Sequence, residues 1–233
     1  MTDSLSDTII GLRRQLRERL DHLGYVEEQP GAFATGHVPH IAPYAYLCRW
    51  YTGIHRERRD AAESESGGPV HQDYWDLLTH TNGANFLGVS LHGVIGGLVD
   101  RSGTIIVGQP ISLRYQNGVE RADYIPRDHL GIGAINGEWS SQGHLYLAST
   151  GEIELYNARF DMVGARWRSL GEFLAEEIPR RFSLYDRSGH QIEGAKLLPG
   201  DTDHWEALAQ KNDFERGSFR GFFKRVISNF RNK

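Results

Sequence analysis

The sequence predicts an α+β fold: a mainly antiparallel sheet flanked by helices, with helical N- and C-terminal extensions. Three observations predict it. Apolar residues at helical spacing open the chain. Short segments of period two, separated by Gly, Asn and Asp, occupy 86–156, and a capped helical segment follows at 169–178. At 233 residues the chain can bury a core without staples. Its single cysteine, Cys48, leaves no intramolecular disulfide and no cysteine metal cluster, which fits a reducing compartment.

Leu5, Ile9, Leu12, Leu16, Leu20 and Leu23 recur every three or four residues, so 4–23 reads as a helix with one apolar stripe. Asp3, Ser4, Ser6 and Asp7 are capping candidates, Gly24 is a natural stop, and Arg13, Arg14, Arg17 and Arg19 fall mostly on the solvated side. Three prolines and two glycines make 29–43 a loop, and 44–58 reads as a second helix. The acidic, glycine-rich stretch RDAAESESGGPV, 59–70, reads as a mobile connection. Pro69 then suits a first helical turn, and Tyr74, Leu77, Leu78 and Thr81 share one face, which predicts a helix over 70–81. Asn82-Gly83 stands where a left-handed residue ends a helix, and His80 reads as a stabiliser of that helix end.

Candidate strands are 86–92, 103–107, 111–115, 130–135, 144–148 and 152–157. The last two are the clearest: Leu145, Leu147, Ile153 and Leu155 alternate with polar and aromatic residues around a turn at Ser149-Thr150-Gly151. Ser169 and Glu172 form a capping box ahead of Leu170, Phe173, Leu174 and Ile178, and Pro179 is expected to stop that helix. A short strand pair around 182–197 and a short helix over 203–210 follow. The chain thus divides into a helical and loop extension (1–70), an α+β domain (71–180), a C-terminal extension (181–213) and a tail (214–233).

No motif for covalent, phosphoryl or metal chemistry stands out. There is no Gly-x-Ser-x-Gly elbow, Walker loop or His-Glu-x-x-His pair, and GVIGGL, 93–98, follows a strand without opening a helix. His37 and His40 lie in a proline-containing loop, where their spacing has no helical meaning. No catalytic residue, metal or cofactor is therefore expected, and Cys48 in YLCRWY suits a buried thiol. An enzyme would need a pocket in which several of His71, His80, His92 and Glu138 converge. The weakly polar run 86–99 is too short to cross a bilayer, and the acidic amino terminus lacks the pattern of a secretory signal, so a cytoplasmic protein is expected.

Charge is unevenly spread. Residues 216–233 hold six of the 26 Lys and Arg and none of the 30 Asp and Glu, which leaves the preceding body at −10. That balance disfavours nucleic acid as a direct partner of the body and favours a cationic one. In the tail, Phe219, Phe222, Phe223, Val226, Ile227 and Phe230 share one helical face, with Lys224, Arg225 and other basic residues around it. Such a basic amphipathic helix is suited to a partner, to peripheral contact with an anionic membrane, or to folding back on the body.

The ordered combination of DYWDLLTHTNGANFLGVSLHG (73–93), the hairpin with its lead-in IGAINGEWSSQGHLYLASTGEIELYN, and SLGEFLAEEI resembles the SUKH superfamily, the Smi/Knr-like domain, over about 71–180. The matching positions are Tyr74, Leu77, Leu78, Asn82 and Gly83, the apolar strand after them, Gly151, and Phe173 with Leu174. Ala148-Ser149 stands where the family often has an acidic residue. The resemblance implies a non-enzymatic, protein-binding α+β domain. Bacterial members look mostly like immunity proteins that neutralise a polymorphic toxin, often a nuclease, while others look like regulatory or scaffold modules. An acidic surface would suit a basic toxin, since an enzyme that grips phosphate must present Lys and Arg. Asp73, Asp76, Glu138, Trp139, Glu152 and Glu154 are the expected binding residues, with Trp139 an aromatic of the type that anchors interfaces.

Overall fold

A computed structural model describes residues 4–94, 111–119, 121–136, 142–205 and 207. Within them the chain is α+β. Nine strands form one sheet in chain order, each antiparallel to the next. They are β1 (Tyr25–Gln29), β2 (Ala32–His37), β3 (Tyr46–Trp50), β4 (Ala84–Phe86), β5 (Val89–Leu91), β6 (Leu130–Ile135), β7 (Gly143–Leu147), β8 (Ile153–Asn157) and β9 (Val163–Trp167). Side chains on neighbouring strands that face each other in register lie on one side of a sheet. One such row runs Phe33, Trp50, Ala84, Leu91, Gly133, Leu145, Leu155 and Ala165, the floor of the core. The opposite side carries Ala34, Arg49, Asn85, Ser90, Ala134, His144 and Tyr156.

Three helices seal the core side. Helix α1 (Leu5–Leu20) begins where the Ser4 hydroxyl accepts the Asp7 N–H and buries Ile9, Leu12, Leu16 and Leu20. Burial of each of these side chains stabilises the fold by roughly 2 kcal/mol. A short 3₁₀ turn then ends at Gly24, whose φ of 118° only glycine adopts without strain. Helix α3 (Gln72–His80) contributes Tyr74, Trp75, Leu77 and Leu78, and α4 (Leu170–Phe182) contributes Leu170, Phe173, Leu174 and Ile178. The Ser169 hydroxyl accepts the Glu172 N–H, one half of the expected capping box, while the Glu172 carboxylate accepts the Arg168 N–H instead of that of Ser169. None of the described helices is long and apolar enough to cross a membrane.

Several local expectations are corrected. Residues 29–43 are not all loop and 44–58 are not a helix, because β2 and β3 lie there and join β4 through the pairs Cys48–Phe86 and Trp50–Ala84. The sheet therefore runs through the boundary drawn at residue 70. Alternation explains β3: Cys48 and Trp50 turn inward while Arg49 turns outward to Glu28, 3.2 Å away. Within 59–70, Arg59–Ser66 form helix α2, supported by the Arg59–Glu63 pair one turn apart and closed by Gly67 in the left-handed conformation. Residues 111–115 are not a strand: Ser112 makes one isolated bridge to Gly93, and a π-helical turn, Tyr115–Val119, follows. Strand β9 has no counterpart among the expected segments. The stretches 103–107 and 208–210 lie outside the described residues, and the strand pair around 182–197 reduces to one bridge, Tyr185–Gln191.

Helix α4 passes through Pro179 to Phe182. The missing proline N–H costs one helical bond, yet the turn beyond it is anchored. Arg181, fully buried, donates to the carbonyls of Leu87 (2.6 Å) and Leu197 (2.6 Å), and Arg180 forks onto Glu177. Arg181 also lies against Gly88, where a Cβ would stand 2.3 Å from its guanidinium. It thereby clamps the β4–β5 turn, in which Leu87 holds a positive φ of 49°.

Helix α3 ends in an extended Thr81 rather than at Asn82, with Gly83 taking the positive φ of 81°. Asn82 has another task. Its buried amide accepts the Val94 N–H at 2.7 Å and donates to the Val94 carbonyl at 2.8 Å, so it substitutes for a strand neighbour. His80 meets the Ser6 hydroxyl at 3.2 Å and ties α3 to α1.

Candidate functional site

The side of the sheet opposite α1, α3 and α4 is met, among the described residues, by the π-helical turn Tyr115–Val119 and the loop 121–129. A bulge between Gly131 and Gly133 interrupts the β6–β7 ladder, and Asn117 fills the gap. Its side chain accepts the Gly131 N–H at 2.7 Å and donates to the carbonyls of Gly131 (2.8 Å) and Leu113 (2.9 Å). Docked this way, the turn lays Gln116 across Gly131, where a Cβ would approach the Gln116 Cγ to 2.7 Å.

Beside Gln116 lies a cleft of about 280 Å³, lined by Ser90, His92, Ile111, Tyr115, Gln116, Ala134, Asn136, Gln142 and His144. Ser90, Ala134 and His144 are consecutive cross-strand partners on β5, β6 and β7, so the sheet itself fixes their spacing. His92 is 4 % exposed. Its N–H donates to the Ile132 carbonyl at 2.8 Å and its carbonyl accepts the Tyr74 hydroxyl at 2.5 Å. Burial first, and then the proximity of His144, pull the His92 imidazole down to about 4, so it is neutral near pH 7. Gln116, 1 % exposed, donates its amide to the Leu145 carbonyl at 3.1 Å. Gln116 Oε1 and His92 Nδ1 are buried without a hydrogen-bond partner among the described residues.

Further along the same face an aromatic and charged cluster covers β7–β9. Tyr146 and Tyr156 pack edge to face at 5.6 Å with Ile125 beside them, and the Tyr124 hydroxyl donates to the Asn157 carbonyl at 2.8 Å. Glu154 receives Arg166 Nε at 2.7 Å and lies 3.0 Å from His129 Nε2. Burial raises the Glu154 carboxyl, but hydrogen bonds from Arg166, Tyr156 and His129 outweigh it and hold the group below its usual range. Asp128 contacts His129 Nδ1 at 3.1 Å and accepts the Ser149 hydroxyl at 2.8 Å, which extends the network to the β7–β8 turn.

The acidic residues expected from the sequence do not form one cluster. Asp73 and Asp76 stand half-buried in the first turns of α3, on the core side, where Asp76 accepts the Gln72 amide at 2.8 Å. Glu152 is exposed in the β7–β8 turn, and that turn touches the α3 cap, since a Cβ on Gly151 would meet the His71 ring at 3.7 Å. Asp73 and Glu152 therefore sit on adjacent elements. Glu154 lies on the opposite side with its side chain 12 % exposed and its carboxylate engaged by Arg166, so it is no solvated acid. Glu138, Trp139 and the tail residues Phe219, Phe222, Phe223, Lys224, Arg225, Ile227 and Phe230 lie outside the described residues.

The histidines disperse as well. His71 caps α3 through Nδ1, His80 bonds Ser6, and of these only His92 reaches the cleft. His37 bonds the Pro43 carbonyl and His40 stacks on His190 at 3.7 Å. Among the described residues no three His, Cys, Asp or Glu side chains are grouped to hold a metal ion. Cys48 is fully buried, and burial raises its thiol far above the ordinary range.

Sequence reasoning misses Ser90, Gln116 and His144. Alternation holds the signal for two of them: Ser90 and His144 occupy out-facing positions between inward Val89, Leu91 and Leu145. Nothing local points to Gln116, because a π-turn and a β-bulge far along the chain create its position. No family model matches this chain, and no curated protein matches it closely enough to count as a relative.

Proposed function

We propose that this chain is a non-enzymatic protein-binding module of the SUKH type, acting as an immunity protein that neutralises a bacterial toxin with a basic surface, such as a nuclease, by occluding its active site. The observation that carries the reading is the two-sided sheet. One side is sealed by helices, and the other presents fixed polar and aromatic side chains around a cleft. Groups held by backbone pairing and mutual hydrogen bonds lose little freedom on association, which is what tight binding requires. Tyr115, about half exposed at the cleft mouth, supplies aromatic area, and the buried Tyr146 and Tyr156 brace the face beneath. The net charge of −10 before residue 216 supplies attraction to a cationic partner. Helix α3, the β7–β8 hairpin and helix α4 come in the order the resemblance gives, although the stretch expected as one apolar strand, 86–92, is the β4–β5 hairpin turning at Leu87-Gly88, and β9 stands before α4.

Co-expression tests the reading. Cells making the toxin encoded beside this gene should survive when the chain is supplied, and the two purified proteins should form a one-to-one complex. Failure of rescue against every toxin encoded beside it would sink the proposal.

A further inference from the structure

The cleft under the π-helical turn has a chemistry of its own. We propose that it is a binding site for a neutral carboxamide, the group at the end of an Asn or Gln side chain. The inference does not require the partner to be a toxin.

Two of the residues that line the cleft, Gln116 and His92, each carry a buried polar atom. Gln116 Oε1 has no partner among the described residues, and because its own amide nitrogen is committed to the Leu145 carbonyl, the oxygen is fixed as an acceptor in need of a donor. His92 Nδ1 likewise lacks a partner there and can give or take a proton according to tautomer. A buried polar atom left unsatisfied costs about 1–3 kcal/mol, so whatever supplies both bonds is held. One water occupies roughly 30 Å³ of liquid volume. The cleft, at about 280 Å³, has room for a group of several heavy atoms.

Charge selects the class. Among the described residues no Lys, Arg, Asp or Glu lines the cleft, so neither an anion nor a cation finds a counter-charge there. The Gln116 acceptor further disfavours a carboxylate, and a neutral His92 offers it no compensation. A carboxamide carries a donor for Gln116 and both a donor and an acceptor for His92. At the mouth, Ile111 and Tyr115 are about half exposed and provide apolar walls for a short alkyl stem.

The test uses the ¹⁵N-labelled full chain and reads the ring nitrogens of His92 by NMR during titration with four small probes. These are acetamide, its isosteres acetate and acetamidinium, and ethylene glycol as a neutral hydroxyl donor. Acetamide should produce a saturable shift at His92 that the other three do not. Gln116→Met, which keeps the chain length and removes the acceptor, should weaken acetamide binding about tenfold or more, the equivalent of one buried hydrogen bond. Gln116→Leu repeats the measurement should the first variant fail to give a folded spectrum. Two further ligands separate the sources. Tighter binding of N-acetylglutamine N-methylamide than of free L-glutamine assigns the cleft to a protein side chain, and the reverse assigns it to the free amino acid. An absent response to acetamide, equal binding of acetate, acetamidinium or glycol, or an unchanged affinity in the Gln116 variants would overturn the proposal. None of these results depends on toxin rescue, so failure here and failure of the immunity reading remain separate.

Discussion

Gln116 lies directly on Gly131, its Cγ 2.7 Å from where a Cβ would be. The contact is possible only because β6 carries a glycine at its bulge, and it places a buried amide in the outer cleft. Gly131→Ala should therefore push the π-turn away and destabilise the fold by about 1–3 kcal/mol, as overpacking does. Gly118, in the same turn, has nothing within 4 Å of where its Cβ would stand, so Gly118→Ala should change stability by less than about 1 kcal/mol. Urea denaturation of both variants checks the pair.

Acid should act through His92. Its imidazole titrates near 4 in the folded chain against 6.5 ordinarily, so the unfolded chain binds more protons between those values. Stability tied to this residue is present above about pH 6.5 and is lost as pH falls toward 4, by about 3 kcal/mol in total. His92→Gln should flatten the dependence of unfolding free energy on pH in that window relative to the unsubstituted chain. Parallel curves for the two proteins would contradict the assignment.

Asn82 should matter for packing rather than for helix termination. Its amide satisfies both backbone groups of Val94 in a buried setting. Asn82→Ala orphans a donor and an acceptor and should cost about 2–4 kcal/mol. Hydrogen exchange at the Val94 amide should accelerate together with the loss in thermal stability.

Pro179 gives a prediction of opposite sign. Because α4 continues to Phe182, Pro179→Ala restores a helical N–H at an exposed position and removes a poor helix former. Against this stands the entropy that proline takes from the unfolded chain, about 1 kcal/mol, so a net gain of about 1–2 kcal/mol is expected. A calorimetric melting temperature below that of the parent would mean that the helix ends at the proline after all.

The parts of the fold legible in the sequence are those where one local signal dominates. Leu145, Leu147, Ile153 and Leu155 alternate cleanly and give β7 and β8, and the stripe from Leu5 to Leu20 gives α1. Strands β1–β3 are hidden because prolines 30, 39 and 43 and glycines 31 and 36 punctuate a segment that long-range pairing nevertheless holds in the sheet. Gly36 even takes a positive φ of 74° within β2, its N–H bonded to the Gly24 carbonyl. Helix α2 is hidden by its polarity: among its residues whose burial is described, Ala62 and Ser66 are the deeply buried ones. The cleft is the least legible feature, because Ser90, His92, Gln116 and His144 meet only after β5, β6 and β7 have paired.

Occlusion of a toxin by the outer face of the sheet is tested most sharply by growth rescue with surface variants chosen by face. Tyr115→Glu alters the mouth of the outer cleft, whereas Arg14→Glu alters an exposed position on α1, on the helical side. With the toxin encoded beside this gene, the unsubstituted chain and Arg14→Glu should restore growth while Tyr115→Glu, folded to the same extent, should not. Full rescue by Tyr115→Glu together with loss of rescue by Arg14→Glu would contradict binding through this face.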